Sequence, residues 1–376
     1  MGSLIEEMNQ RALALGVPLG VQLDVTYRCN ERCVHCYLDH DDHGEMNIGE
    51  MREVLRQLAE AGTLFLTLSG GEVFMRMDFF DILAYARSLL FCVKVKTNAF
   101  MVREKQADRM RELGVQSVQV SIYSHRPEVH DAITKLPGSL KRSLAGIRLL
   151  QTRGMNVIIA NVLMRQNLGD YAGVKALAQE LGVQYTIDPT ITPRMDGDRS
   201  IVGLGIGGGE LKQVFRNPEL VGNVEEFCAP PQLVDEGVLD GLPCSASHTF
   251  CYISPYGDVF PCVQFPLPTG NVRRQKFLDI WRYSKPMNEV RSIRGRDLPV
   301  CSTCTHLGSC TRCPGLAYME GNMRGPSSLD CEKSFARTGL LSANMIAKRM
   351  DQQASTADQE GKSQQEVGCG QLVQIR

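Results

Sequence analysis

Between residues 21 and 190 two periodicities take turns along the chain, and that alternation narrows the fold more than any other feature. Short apolar, β-branched runs recur at 21–27, 64–70, 92–98, 117–123, 156–164 and 183–189. Helix-like stretches separate them at 47–61, 78–90, 103–113, 139–153 and 168–181. Gly62, Gly114, Gly154 and Gly182 stand where helix C-caps belong. Strands that alternate with helices pair in parallel. Six repeats are too few to close an eight-stranded barrel. The expected fold is therefore α/β, an open (β/α)6 partial barrel of the TIM type. Such units place their chemistry at the C-terminal ends of the strands.

At the first of these ends, TYRCNERCVHCYL carries Cys29, Cys33 and Cys36 with the spacing C-x3-C-x2-C. Three thiolates this close can hold one face of a cubane [4Fe–4S] cluster and leave one iron without a protein ligand. An electron-carrying cluster takes four cysteines. A site with three is open, like a catalytic zinc with a free position, and the open iron can chelate a small molecule. The alternative is zinc. Zinc favours paired C-x2-C knuckles with four ligands, yet no fourth cysteine lies nearby and His35 is wedged between Cys33 and Cys36.

Composition supports metal chemistry. Of 14 cysteines, eight fall between Cys244 and Cys331. The N-terminus, MGSLIEEMNQ, is acidic where a signal peptide is basic, which points to the cytoplasm. In that reducing compartment clustered cysteines mean ligation rather than disulfides. No apolar run approaches the ~20 residues that span a bilayer. With 41 basic and 42 acidic side chains, nothing draws the chain to nucleic acid or anionic lipid.

The organisation reads as a lead at 1–20, the partial barrel at 21–194 and a Gly-rich, flexible connector at 195–240. A segment dense in Cys, Pro and Gly follows at 241–335, which metal clusters must hold together more than a hydrophobic core does. A helix and a disordered, Gln-rich tail close the chain at 336–376. The dense segment spaces its cysteines C-x6-C-x10-C (Cys244, Cys251, Cys262), then C-x2-C-x5-C-x2-C (Cys301, Cys304, Cys310, Cys313), then Cys331. Within it YISPYGDVFPC reads as a β-hairpin that turns at PYGD.

The cysteine loop after the first strand of a (β/α)6 pattern resembles the radical S-adenosylmethionine (SAM) superfamily. SGGE (Ser69–Glu72), at the end of the second strand, fits the same family, although Val73 stands where Pro is usual. The resemblance implies that SAM chelates the open iron through its amino and carboxylate groups. The reduced cluster then cleaves the sulfonium to methionine and a 5′-deoxyadenosyl radical, which takes hydrogen from a substrate. It also implies SAM contacts: Gly70, Gly71 and Glu72 at the ammonium, Ser121 at the ribose or carboxylate, Arg165 at the carboxylate, Leu163 at adenine, and His35 beside the loop.

The later cysteines, with GNVRRQKFLDIW (270–281), resemble the SPASM extension of that superfamily. This implies one auxiliary [4Fe–4S] cluster on Cys244, Cys251, Cys262 and Cys313, and a second on Cys301, Cys304, Cys310 and Cys331, three clusters in all. Only Thr311 and Arg312 separate Cys310 from Cys313, where the family has three residues, so the assignment of that pair stays open. Fully ligated clusters imply structural or electron-transfer roles.

Strand-end position makes Tyr123 and His125 rim residues and Asp188 a candidate proton acceptor. His130 and Asp131 read as the start, and the cap, of the next helix. Cys228 reads as a buried thiol or a hydrogen-atom donor near the cavity mouth, Cys92 as core, and Cys369 as an incidental tail thiol. Val263 follows Cys262 where sulfatase maturases carry an Asp base, which disfavours that activity. The expected function is that of an oxidoreductase-type maturase acting on a ribosomally made peptide or protein, by crosslinking, epimerisation or decarboxylation. The alternative is a small molecule, such as a tetrapyrrole side chain in haem d1 or alternative haem synthesis. A non-catalytic electron carrier fits the open site poorly. Expected partners are a flavodoxin- or ferredoxin-type electron donor and either a separate leader-recognition protein or a substrate bound directly, since about 20 residues before the first strand are too few for a winged-helix recognition domain.

Overall fold

The computed structural model describes residues 4–231 and 233–352; the expected tail at 354–376, with Cys369, lies outside the described residues. The chain divides into two compact units, one of Met1–Glu210 and Cys244–Ile293, the other of Leu211–Pro243 and Arg294–Arg376.

In the first unit the expected alternation is present. Strands β1 (Gly20–Thr26), β2 (Phe65–Gly70), β3 (Cys92–Thr97), β4 (Ser117–Ser121), β5 (Val157–Val162) and β6 (Gln184–Asp188) pair in parallel, each with the next. Helices Ile48–Glu60, Phe79–Ser88, Glu104–Glu112, Ser139–Thr152 and Tyr171–Glu180 connect them. The pattern follows from side-chain burial. Val21, Leu23 and Val25 bring apolar side chains to the core at period two, with the buried polar Gln22, Asp24 and Thr26 between and after them, and Met51, Val54, Leu55 and Leu58 are buried at helical spacing. Gly62, Gly114, Gly154 and Gly182 all turn left-handed at the helix ends. A further helix, Pro127–Thr134, stands between β4 and Ser139–Thr152, with Pro127 at its first position.

The hairpin expected at YISPYGDVFPC forms as β7 (Phe250–Ile253) and β8 (Asp258–Phe260), with Tyr252 opposite Phe260. Its place was not evident from the sequence. Strand β7 lies parallel to β1, Val21 opposite Cys251. With β9 (Gly270–Asn271) the sheet runs β6-β5-β4-β3-β2-β1-β7-β8-β9. The Cys-dense segment therefore begins as a continuation of the barrel sheet. Phe277 and Trp281, both buried, join the same core, and Trp281 Nε1 donates to Gly16 O at 2.7 Å.

The second unit begins within the connector, at Leu211, past the Gly-rich run. Short helices form at Pro218–Val221, Val224–Phe227 and Glu236–Asp240. The side chains of Asn217, Asn223 and Asp235 accept from backbone N–H groups of the first turns. Polar residues that favour loops also favour N-caps, and here they cap. Helices Pro314–Met319 and Ser328–Thr338 carry the later part. Among the described residues no helix is long and apolar enough to cross a membrane.

Candidate active site

Strand β1 delivers the cysteine loop, and three neighbours pin it. Glu45 accepts from Thr26 Oγ1 (2.6 Å) and Tyr27 N (2.8 Å) where the strand ends. Residues of helix Pro127–Thr134 accept from the loop itself, Thr134 O from Arg32 N and Ile133 O from Val34 N, each at 3.0 Å. The turn after β2 closes the third side, with Gly71 N on Thr26 O (2.8 Å) and Glu72 N on Arg28 O (2.9 Å).

Above these strand ends lies a cavity of about 450 Å³. Cys29, Cys33, Cys36 and His35 line it from β1, Ser69, Gly70 and Gly71 from β2, Asn98 from β3, and Ser121 and Tyr123 from β4. Asn98 Nδ2 reaches Cys29 Sγ at 3.8 Å and Asn30 Oδ1 at 3.0 Å. Burial pushes the Cys29 thiol up to about 12 and raises Cys33 and Cys36 as well. Metal must displace these protons, and a cluster's positive irons reverse the cost of burying thiolates. Burial pulls His35 down to about 4, so its ring is neutral, edge-on to Tyr123 at 4.7 Å.

Several predicted contacts lie elsewhere. Glu72 is fully buried and does not line the cavity. Its carboxylate accepts from Thr97 Oγ1 (2.8 Å to each oxygen), Asn98 N (2.8 Å) and Phe74 N (3.2 Å). Burial raises it to about 7 against these bonds. It ties the β2 turn to the end of β3 and has little left for an ammonium group. Leu163 is buried outside the cavity, and Val162 lines it instead. Arg165 starts a short helix that carries its side chain to the surface, 64% exposed, with Glu210 at 3.9 Å. His125 does not line the cavity. His130 caps nothing; its Nδ1 accepts from Tyr123 N (3.1 Å). Asp131 caps the helix after its own, accepting from Gly138 N, Ser139 Oγ and Leu140 N. Cys228 belongs to the second unit, where its thiol meets Phe215 O at 3.5 Å.

Asp188, the candidate proton acceptor, lines the cavity, and residues not singled out from the sequence complete it. Glu31 and Lys96 line it, as do Gln119, Thr186, Thr190, Thr192 and Gln264. Most stand at or beside strand ends, so the rule that located the cysteine loop could have located them. Beneath them runs a buried polar chain. Lys96 Nζ donates to Gln22 Oε1 (3.0 Å), Gln22 Nε2 to Asp24 Oδ1 (3.1 Å), and Tyr252 OH to Asp24 Oδ2 (3.0 Å). Burial raises Asp24 to about 6, opposed by these hydrogen bonds and by the Lys96 charge. The folded chain thus holds this proton more tightly than the unfolded one. Its stabilisation is full below about pH 4, declines as pH rises and is lost above about pH 6. Asp24→Asn should flatten that decline, removing about 1–2 kcal/mol of difference between urea unfolding near pH 5 and near pH 7.5.

The later cysteines fall into two sets. Cys244, Cys251 and Cys262 are in the first unit, with Cys251 on β7 and Cys262 just beyond β8. Besides burial, the charge of Cys262 raises the Cys251 thiol, and the charge of Cys244 raises that of Cys262. Cys301, Cys304, Cys310 and Cys331 rim one cavity of the second unit, together with His306 and Arg312. Cys313, also in the second unit, does not line that cavity; its N–H donates to Asp330 Oδ2 at 2.8 Å. Among the described residues no three His, Cys, Asp or Glu side chains converge as a single ion requires. Tetrahedral zinc holds its sulfurs about 3.8 Å apart, whereas a cubane needs ligands spread around its corners. Thiols rimming cavities fit the cluster.

Comparison with known proteins agrees. Residues 23–177 match the radical SAM superfamily, and residues 244–305 match the SPASM iron–sulfur cluster-binding domain. An AdoMet-dependent heme synthase of Methanosarcina barkeri is 28% identical over 80% of this chain and 92% of its own. The mycofactocin maturase MftC of Mycobacterium tuberculosis is 27% identical over 82% of this chain and 80% of its own. The structure of Streptococcus suis SuiB bound to its precursor peptide SuiA shares the fold, with a TM-score of 0.69 at 17% identity, covering 86% of this chain and 79% of that one. The chain thus carries a radical SAM domain and a SPASM domain, and the cofactors of such an enzyme are [4Fe–4S] clusters and S-adenosylmethionine.

Proposed function

We propose that this enzyme modifies a side chain of a peptide or protein, with Cys29, Cys33 and Cys36 holding the SAM-binding cluster. When bound, that cluster and SAM supply one-electron cleavage of a sulfonium and, through it, hydrogen-atom abstraction. The protein's part is to position and to exclude. Gly70, Gly71 and Ser121 present backbone and hydroxyl groups beside the cysteine loop, and His35 and Tyr123 wall it with neutral rings.

The observation that carries the substrate class is the make-up of the cavity. Its volume of about 450 Å³ must be shared with cluster and SAM, which leaves space for one protruding group of a larger molecule. The far wall offers hydroxyls and amides, from Gln119, Thr186, Thr190, Thr192 and Gln264, which suit peptide groups. Lys96 is the one Lys or Arg among the lining residues, and its ammonium already bonds Gln22. A tetrapyrrole brings several carboxylates and calls for several cations. The name of the mycofactocin maturase supports the peptide reading. The name of the heme synthase supports the second reading, a tetrapyrrole propionate.

The test is direct. Reconstituted enzyme, reduced with dithionite or a flavodoxin, is given precursor peptides encoded beside its gene and, separately, iron–coproporphyrin. A peptide mass change matched by 5′-deoxyadenosine is the expected result. Loss of carbon dioxide from the porphyrin, with every peptide unchanged, would overturn the proposal.

A further inference from the structure

The cavity rimmed by Cys301, Cys304, Cys310 and Cys331 contains a charged group whose hydrogen bonding is incomplete. Arg312 is 6% exposed and stands in the short spacer between Cys310 and Cys313. Two backbone carbonyls fix its guanidinium. Gly325 O accepts from Nε (2.9 Å) and from Nη2 (2.5 Å), and Met323 O also accepts from Nη2. Nη1 is buried and has no partner. Leaving such a donor unpaired is costly, more so when the group is charged, so native structures rarely do so. Arg312 lines the same cavity as the four thiols. The Arg312 charge is close enough to bear on Cys301.

The other donors to these sulfurs are neutral. Ser334 bonds to Cys310, Ser342 and Asn344 to Cys331, and Ala343 N to Cys304 (3.4 Å). Asp330, the buried carboxylate on the same rim, is engaged by Lys333 Nζ (3.4 Å) and Cys313 N (2.8 Å). Arg312 therefore brings a full positive charge and a spare N–H to a site otherwise served by neutral dipoles.

We propose that Arg312 donates Nη1–H to the cluster held by Cys301, Cys304, Cys310 and Cys331, and thereby sets its reduction potential. A positive charge and a hydrogen bond both stabilise the more negative, reduced cluster and raise the potential. The couple takes up one electron, supplied in the test by dithionite through mediators, and no bond forms or breaks. The inference rests on the proposed ligand set.

The experiment is an EPR-monitored redox titration of the reconstituted full-length enzyme. Arg312→Met should keep its iron while one cluster becomes about tenfold harder to reduce, which for a one-electron couple is about 59 mV. Arg312→Lys, which keeps the charge but loses the planar fork, should fall between wild type and Arg312→Met. An unchanged potential with full iron content would overturn the proposal. Should Arg312→Met lose iron, Arg312→Lys decides: a wild-type potential there refutes the inference, and an intermediate one upholds it. The ligand set has its own control. Cys331→Ala should lose about four irons and the signal that Arg312→Met displaces. Survival of that signal would refute the ligand set rather than the role of the charge.

Discussion

Replacing Cys29, Cys33 and Cys36 together with alanine should abolish 5′-deoxyadenosine formation while the chain keeps about eight of roughly twelve irons. Iron analysis and a SAM-cleavage assay measure the two halves of this result independently. The size of the effect follows from the geometry. The three thiols line the cavity with the β2 turn and the end of β3, and Cys301, Cys304, Cys310 and Cys331 rim a cavity of the second unit. Among the described residues no other cysteine lines the first cavity. A variant that still cleaves SAM would show that the open site is elsewhere. A variant that loses all its iron would show that the auxiliary sites depend on this loop for assembly.

Gly71→Ala should be nearly as damaging, for a steric reason. A Cβ there would lie 2.4 Å from Arg28 O and 2.5 Å from Tyr27 O, both backbone atoms of the approach to Cys29. Backbone held by the Glu45 and Thr26 hydrogen bonds cannot move aside cheaply. Either the turn moves, breaking Gly71 N on Thr26 O, or the loop moves and misplaces Cys29. Gly70→Ala adds strain to the same clash, since Gly70 has φ +137° and its Cβ would lie 2.1 Å from Thr26 O. We expect a loss of about 3 kcal/mol or more and SAM cleavage reduced at least a hundredfold, read by thermal unfolding and by 5′-deoxyadenosine yield. Near-normal stability with normal SAM cleavage would show that the two glycines are not needed for close approach.

Much of this architecture can be read from residue order, because the forces that set it are local. The six barrel strands and five helices follow from apolar periods of two and 3.6. The loop chemistry follows from three cysteines at one strand end. Contacts that depend on where a side chain goes after its strand ends are not legible in the same way. Arg165 and Leu163 sit close to β5 in sequence, but a short helix and strand alternation turn them out of the cavity. Glu72 looks like a ligand-binding carboxylate until Thr97 and Asn98 are seen to consume it. The polar chain Lys96–Gln22–Asp24–Tyr252 joins residues more than 200 positions apart, and no local pattern announces it.

The pairing of β7 with β1 has an engineering consequence. Cys251 is opposite Val21 on the strand that leads to Cys29, so parts of two proposed cluster sites are carried by neighbouring strands of one sheet. Strands in a ladder keep a spacing of about 4.8 Å, and a slip of one residue turns every side chain to the opposite face. The place of Cys251 relative to the start of the cysteine loop is therefore set by backbone pairing. A single residue inserted in β7 ahead of Cys251 would turn its thiol to the opposite face of the sheet, away from its proposed set.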